Sequence, residues 1–137
     1  MNRITLNNNI QMPMLGFGTF LMGGSECEES VLAAIRSGYR MIDTAEAYRN
    51  EEAVGSAIVK SGIPREELFL VTKVNFRSYE NTRETVEASL NKLKTSYRCI
   101  LEREIKPSEI RKLFDCWQKW FHGIVLLGTG KQMHGSV

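Results

Sequence analysis

Long apolar runs are missing from this chain of 137 residues. No stretch approaches the ~20 apolar residues that a membrane-spanning helix needs. The opening segment, Met1-Asn2-Arg3-Ile4-Thr5-Leu6, lacks the hydrophobic stretch of a secretion signal. Cysteine is scarce: Cys27, Cys99 and Cys116 are odd in number and show no metal-ligand spacing, which speaks against a disulfide framework and a metal site. The net charge of +2 is too small to attract nucleic acid or a membrane surface. These absences describe a reduced, cytoplasmic protein without nucleic-acid or membrane partners. What is present suffices for a core: 42% hydrophobic content in the length of one ordinary domain.

The averages conceal a break near Tyr97. Residues 1–97 carry a net charge of −1 and residues 98–137 a net of +3. The later stretch also holds both tryptophans, both histidines and Cys99 and Cys116.

Up to Tyr97 the pattern is regular. Ile4-Thr5-Leu6 and Ile10-Gln11-Met12-Pro13 flank Asn7-Asn8-Asn9, the arrangement of a short hairpin. Met14-Leu15-Gly16-Phe17-Gly18-Thr19 reads as a first buried strand entering a glycine-permitted turn. Ser25 is the expected cap of a first helix, with Glu26, Glu28 and Glu29 in its first turn, Val31, Leu32 and Ile35 as its apolar stripe, and Gly38 as its stop. Tyr39–Ile42 is a second strand leading into Asp43. A second helix runs from Asn50 to Ser61 and stops at Gly62. Leu68–Val71 is a third strand, and Asn81 or Thr82 caps a third helix reaching about Leu93. Apolar strands alternating with amphipathic helices predict a parallel α/β sheet, doubly wound or barrel.

Beyond Tyr97 the rhythm stops. Arg98 through Pro107 is too charged for a strand buried on both faces. Ser108–Phe114 suits a short helix, and Gly123–Gly128 an isolated strand. Residues 98–137 are expected to be an irregular, poorly ordered tail, whose Trp117, Trp120 and Phe121 form an exposed, aggregation-prone cluster.

Asp43, Tyr48 and Lys73 stand out as a carboxylate, a phenol and an amine, each just beyond an apolar run. In parallel α/β folds functional side chains gather at the carboxyl ends of strands. A free phenol, with pKa ~10, gives up its proton reluctantly near neutral pH. An ammonium within hydrogen-bond reach favours the phenolate, and a carboxylate keeps that ammonium charged when it is desolvated. Taken singly, each residue has a plainer role: Asp43 as a helix-capping element, Lys73 as a strand-end surface residue. Gly16-Phe17-Gly18 lacks the third glycine of a dinucleotide loop. Cys27 is expected to face solvent or pack on its own helix, and Cys99 and Cys116 show no sign of activation.

Three segments together resemble the aldo-keto reductase family: Met12 through Thr19; Gly38 through Ala45 followed by Tyr48 and Asn50 through Gly55; and Glu67 through Lys73. The resemblance covers residues 1–97 nearly without gaps. It implies the N-terminal part of a (β/α)8 barrel, a hairpin and about three strand–helix units, where a whole barrel takes roughly 250 residues. It further implies reduction of small aldehydes and ketones with NADPH, or NADH, as cofactor. Carried over by position, Tyr48 is the proton donor, Lys73 acidifies it, and Asp43 pairs with Lys73 and touches the nicotinamide side. Gly18, Thr19 and Phe20 border cofactor and substrate. Phe20 replaces a common Trp, and Asn75 stands where an aromatic often lines the pocket. The family's histidine at the end of strand four is not matched; Glu104 occupies roughly that place, and His122 and His134 lie in no matching motif.

Residues 98–137 are accordingly expected to be out of frame, through loss of two bases after the Tyr97 codon. Coding DNA whose shifted frame does not continue as barrel sequence would dismiss that expectation. The same resemblance predicts little or no activity for the short chain, and self-association through unpaired strand edges. The competing class is a non-catalytic α/β module in which the tail docks a partner and orders when it binds. A third reading is a half-barrel that pairs with itself, visible as concentration-dependent helicity.

Overall fold

The structure is a computed structural model, and it describes residues 2–6, 9–73, 81 and 83–96 in full, together with the backbone of 82, 99–102 and 125–127. A hairpin comes first, β1 (Arg3–Thr5) and β2 (Gln11–Pro13), paired antiparallel with Ile4 opposite Met12. Five parallel strands follow: β3 (Phe17–Gly18), β4 (Met41–Asp43), β5 (Phe69–Lys73), β6 (Cys99–Glu102) and β7 (Val125–Leu127). Their order in the sheet is their order in the chain. A doubly wound sheet reverses direction partway. Steady addition of neighbours is the winding of a barrel, which decides between the two alternatives.

Helices α1 (Gly24–Arg36), α2 (Glu51–Ser61) and α3 (Thr82–Lys92) lie between strands. Glycines end the first two: Gly38 and Gly62 adopt φ of +97° and +68°, a conformation most side chains resist. Cys27, Val31 and Ile35 of α1 and Val54, Ala57 and Ile58 of α2 pack with Ile42 and Leu70 in the main core. The other face of the sheet is covered differently. There Val71 packs with Met41 and Phe69, and with Leu6, Ile10 and Met12 of the hairpin region. The alternation Leu70-in, Val71-out follows from the two-residue period of a strand.

Several expectations need correction. Ser25 lies inside α1, and Gly23 holds the cap position without a side-chain hydrogen bond. The first barrel strand is only two residues long, and Met14 and Leu15, expected within it, are exposed. Of the two alternatives for Cys27, exposure is excluded: it is fully enclosed in the core, in one cluster with Val31 and Ile35 of its own helix. Burial first and Glu26 second push its thiol above the usual 9.0.

The largest departure lies past Tyr97. Cys99–Glu102 forms a strand after all, pairing with β5 in the register Leu70 to Cys99 and Lys73 to Glu102. Only three uncharged residues, Cys99-Ile100-Leu101, stand opposite Leu70-Val71-Thr72. The charges that argued against a strand fall at Glu102, its last residue, or outside it. Val125–Leu127 is not isolated either, since it pairs with β6. The expected helix Ser108–Phe114, Glu104, Cys116, the cluster Trp117, Trp120 and Phe121, and His122 and His134 lie outside the described residues. Among the described residues no helix is long and apolar enough to cross a membrane.

Candidate active site

Register explains why Asp43 and Lys73 meet. Asp43 stands opposite Val71 across β4 and β5, and Lys73, two residues further, projects from the same face as Val71. Lys73 Nζ donates to Asp43 Oδ1 at 2.5 Å and to the Thr44 carbonyl at 3.1 Å. The side chains remain 26% and 33% exposed. The pair therefore sits at the mouth of the sheet, open to a ligand, and is not sealed in the core.

Tyr48 arrives by a different route. A 3-10 turn, Glu46–Tyr48, follows β4, and Arg49, with φ of 56°, reverses the chain into α2. This brings the Tyr48 ring to 5.5 Å from Lys73 Nζ, centroid to nitrogen, a range where a cation and an aromatic ring attract. Phe20 closes the other side, its ring centroid 5.0 Å from that of Tyr48 and tilted by 58°. Phe20 is 63% exposed, so it forms a wall and not a plug.

Four of the predicted residues, Phe20, Asp43, Tyr48 and Lys73, thus form one cluster. Gly18 is next to it, opposite Asp43 in the β3–β4 register, and an added Cβ there would meet nothing within 4 Å. Thr19 stands behind the cluster. It is fully buried, and its hydroxyl and N–H both donate to the Asp43 carbonyl, at 3.1 and 3.0 Å. Asn75 lies outside the described residues.

A second layer of buried polar residues went unrecognised in the sequence. Asn50 is bonded to Thr44, Thr19 and Met22. Glu51 is almost wholly enclosed, accepting from Thr72 Oγ1 at 2.6 Å and Ser89 Oγ at 3.1 Å, with Lys92 Nζ 4.0 Å away. In sequence these two look like an ordinary helix start, a cap residue followed by acids. Nothing in the one-dimensional pattern marks them as buried.

Elsewhere, a groove of about 480 Å³ is lined by Glu46, Ala47, Arg49, Glu51, Glu52 and Lys92. It shares no residue with the cluster. Among the described residues no group of three or more His, Cys, Asp and Glu is placed to hold a metal ion.

The Aldo/keto reductase family matches residues 14–102. The chain is 47% identical over 97 residues to the glyoxal reductase of Bacillus subtilis, covering 69% of this chain and 35% of that protein. It is 46% identical over 96 residues to an aldo-keto reductase of Mycolicibacterium vanbaalenii, covering 69% and 34%. An aldo-keto reductase from a Medee basin deep-sea metagenome library superposes with a TM-score of 0.79 at 36% identity, over 91% of this chain and 48% of that one. The corresponding figures for the Brucella melitensis aldo/keto reductase are 0.78 and 34%, over 86% and 48%. The chain spans about a third of the length of the curated relatives it matches. With its sequentially wound sheet and these matches through residue 102, the chain is the N-terminal part of a (β/α)8 barrel and belongs to the aldo/keto reductase family.

Proposed function

We propose that Asp43, Tyr48 and Lys73 are the proton-donating part of a site that reduces small aldehydes and ketones, with NADPH, or alternatively NADH, as hydride source. The observation that carries this reading is the position of one ammonium, 2.5 Å from the Asp43 carboxylate and 5.5 Å from the centre of the Tyr48 ring. Tyr48 donates its hydroxyl proton to the carbonyl oxygen as negative charge grows there. The Lys73 ammonium offsets the charge left on the phenol oxygen. Asp43 and the Thr44 carbonyl occupy two of the three Lys73 donors and leave one.

On this reading the nicotinamide lies on the open face. Gly18 leaves room beside Asp43, and Phe20 and Tyr48 supply flat apolar surface for a planar ring. The bound cofactor supplies the hydride; the chain orients the carbonyl and delivers the proton. The reading further holds that the short chain alone turns over little, since it spans about a third of its relatives.

A chimera tests both parts. Residues 1–97 replace the corresponding segment of the related glyoxal reductase, and NADPH oxidation is followed with glyoxal. The chimera should reduce glyoxal, and Tyr48→Phe should lower kcat by about 100-fold or more, the range of a lost general acid. Unchanged kcat in that variant would remove Tyr48 from the role. Tyr48-dependent oxidation by the 137-residue chain itself would overturn its incompleteness.

A further inference from the structure

Asn50 holds the N-cap position of α2 but makes no side-chain capping hydrogen bond. Its amide points away from its own helix, into the protein, and is 2% exposed. There Oδ1 accepts from Thr44 Oγ1 at 2.7 Å, and Nδ2 donates to the Thr19 and Met22 carbonyls, both at 2.9 Å. One acceptor and two donors are all in use.

The two carbonyls bracket the turn Thr19-Phe20-Leu21-Met22. Its ends are held besides by the two Thr19 bonds to the Asp43 carbonyl and by packing of Met22 on the main core, but its two middle residues are not. Phe20 and Leu21 are 63% and 85% exposed, so burial does not anchor them. Leu21 has φ of 64°, a left-handed conformation that a branched side chain adopts only under constraint. One backbone bond, Met22 N–H to the Thr19 carbonyl at 3.2 Å, closes the turn from within. At its other end the Asn50 amide is tied to Thr44, whose carbonyl accepts from Lys73. The same side chain thus links the base of the Asp43–Lys73 pair to the turn that carries the Phe20 ring.

We propose that Asn50 is a positioning residue: its amide fixes the Thr19–Met22 turn so that Phe20 stands as a wall over Tyr48. The assignment rests on the proposed reading of Tyr48 for its bearing on catalysis, but not for its geometry. It also separates two roles by sign. If Asn50 merely started α2, Asp would serve as well or better, being a favoured cap that also complements the helix dipole. If Asn50 holds the turn, Asp is among the worst replacements, because its oxygens face two carbonyl oxygens with no donor between them.

The experiment uses the full chain, by amide hydrogen exchange and by NMR contacts between the Phe20 and Tyr48 rings. In Asn50→Asp, the Thr19 and Met22 amides should exchange at least about 10-fold faster, as a local opening would allow. The Phe20–Tyr48 contact should vanish, while amides 54–61 of α2 keep their wild-type protection. Retained turn protection together with a retained ring contact would overturn the assignment. Should Asn50→Asp fail to fold, Thr44→Val removes the donor that locks Oδ1 and should speed the same two amides about threefold; no change there would equally overturn it. Neither readout needs turnover. An inactive chimera would remove the reductase reading and leave Asn50 as the anchor of the turn, whereas an unmoved turn would remove Asn50 and leave the reading intact.

Discussion

Gly55 lies in the interior of α2, where propensity alone favours alanine by about 1 kcal/mol. The structure predicts the opposite sign. A Cβ at position 55 would run into the Lys92 carbonyl oxygen and lie 2.9 Å from both the carbonyl carbon and the Cα of Leu93. Comfortable carbon contacts need about 3.5–4.0 Å, so α2 and α3 would have to part by roughly 1 Å. All three obstructing atoms belong to the backbone, and no rotamer change relieves them. Leu93 is itself fully buried in the main core, so moving it loosens packing on its far side. Overpacking of this kind typically costs about 1–3 kcal/mol, and unrelievable backbone contacts belong at the upper end. Set against the propensity gain, Gly55→Ala should destabilise by about 1–2 kcal/mol. Equilibrium urea unfolding followed by far-ultraviolet circular dichroism reads this as a lower midpoint at unchanged slope. A raised midpoint would mean that the two helices do not approach as closely as described here.

Two further outcomes follow from other contacts. Glu51→Ala leaves the Thr72 and Ser89 hydroxyls without their acceptor and should cost about 2–4 kcal/mol, while Glu51→Gln keeps one oxygen for Thr72 and should cost about half as much; equal costs in urea unfolding would refute the network. Glu28 accepts from Lys60 at 2.5 Å across α1 and α2, and this bond above all holds its carboxyl below the ordinary 4.5. A carboxyl depressed in the folded state stabilises above its unfolded value and loses that contribution as pH falls through its folded value. An NMR titration of Glu28 should therefore find a midpoint below 4.5, moving upward in Lys60→Met, and no movement would disprove the pairing.

The helices and the candidate site residues were legible for different reasons. Val31 and Ile35, or Val54 and Ile58, repeat at helical spacing because one side of each helix must leave water. Asp43 and Lys73 were legible because strand ends gather chemistry in a parallel sheet. The short β6 was hidden because Glu102 and its charged neighbours dominate the local composition, although only Cys99-Ile100-Leu101 need to be apolar there. Ser25 resembled a cap, but Gly23 and Gly24 let the helix begin two residues earlier. Asn50 and Glu51 were hidden because burial of a polar side chain depends on partners distant in sequence, such as Thr19, Thr72 and Ser89. No local periodicity announces those partners.

The Lys73–Asp43 bond spans 30 residues and the Asn50–Thr19 bond 31. Closing such loops costs little more entropy than closing ones half as long. The acid cluster and the turn above it are therefore complete once residue 73 has been added. Every group in them lies between Thr19 and Lys73, so β6 and β7 meet a corner to which they need supply no side chain.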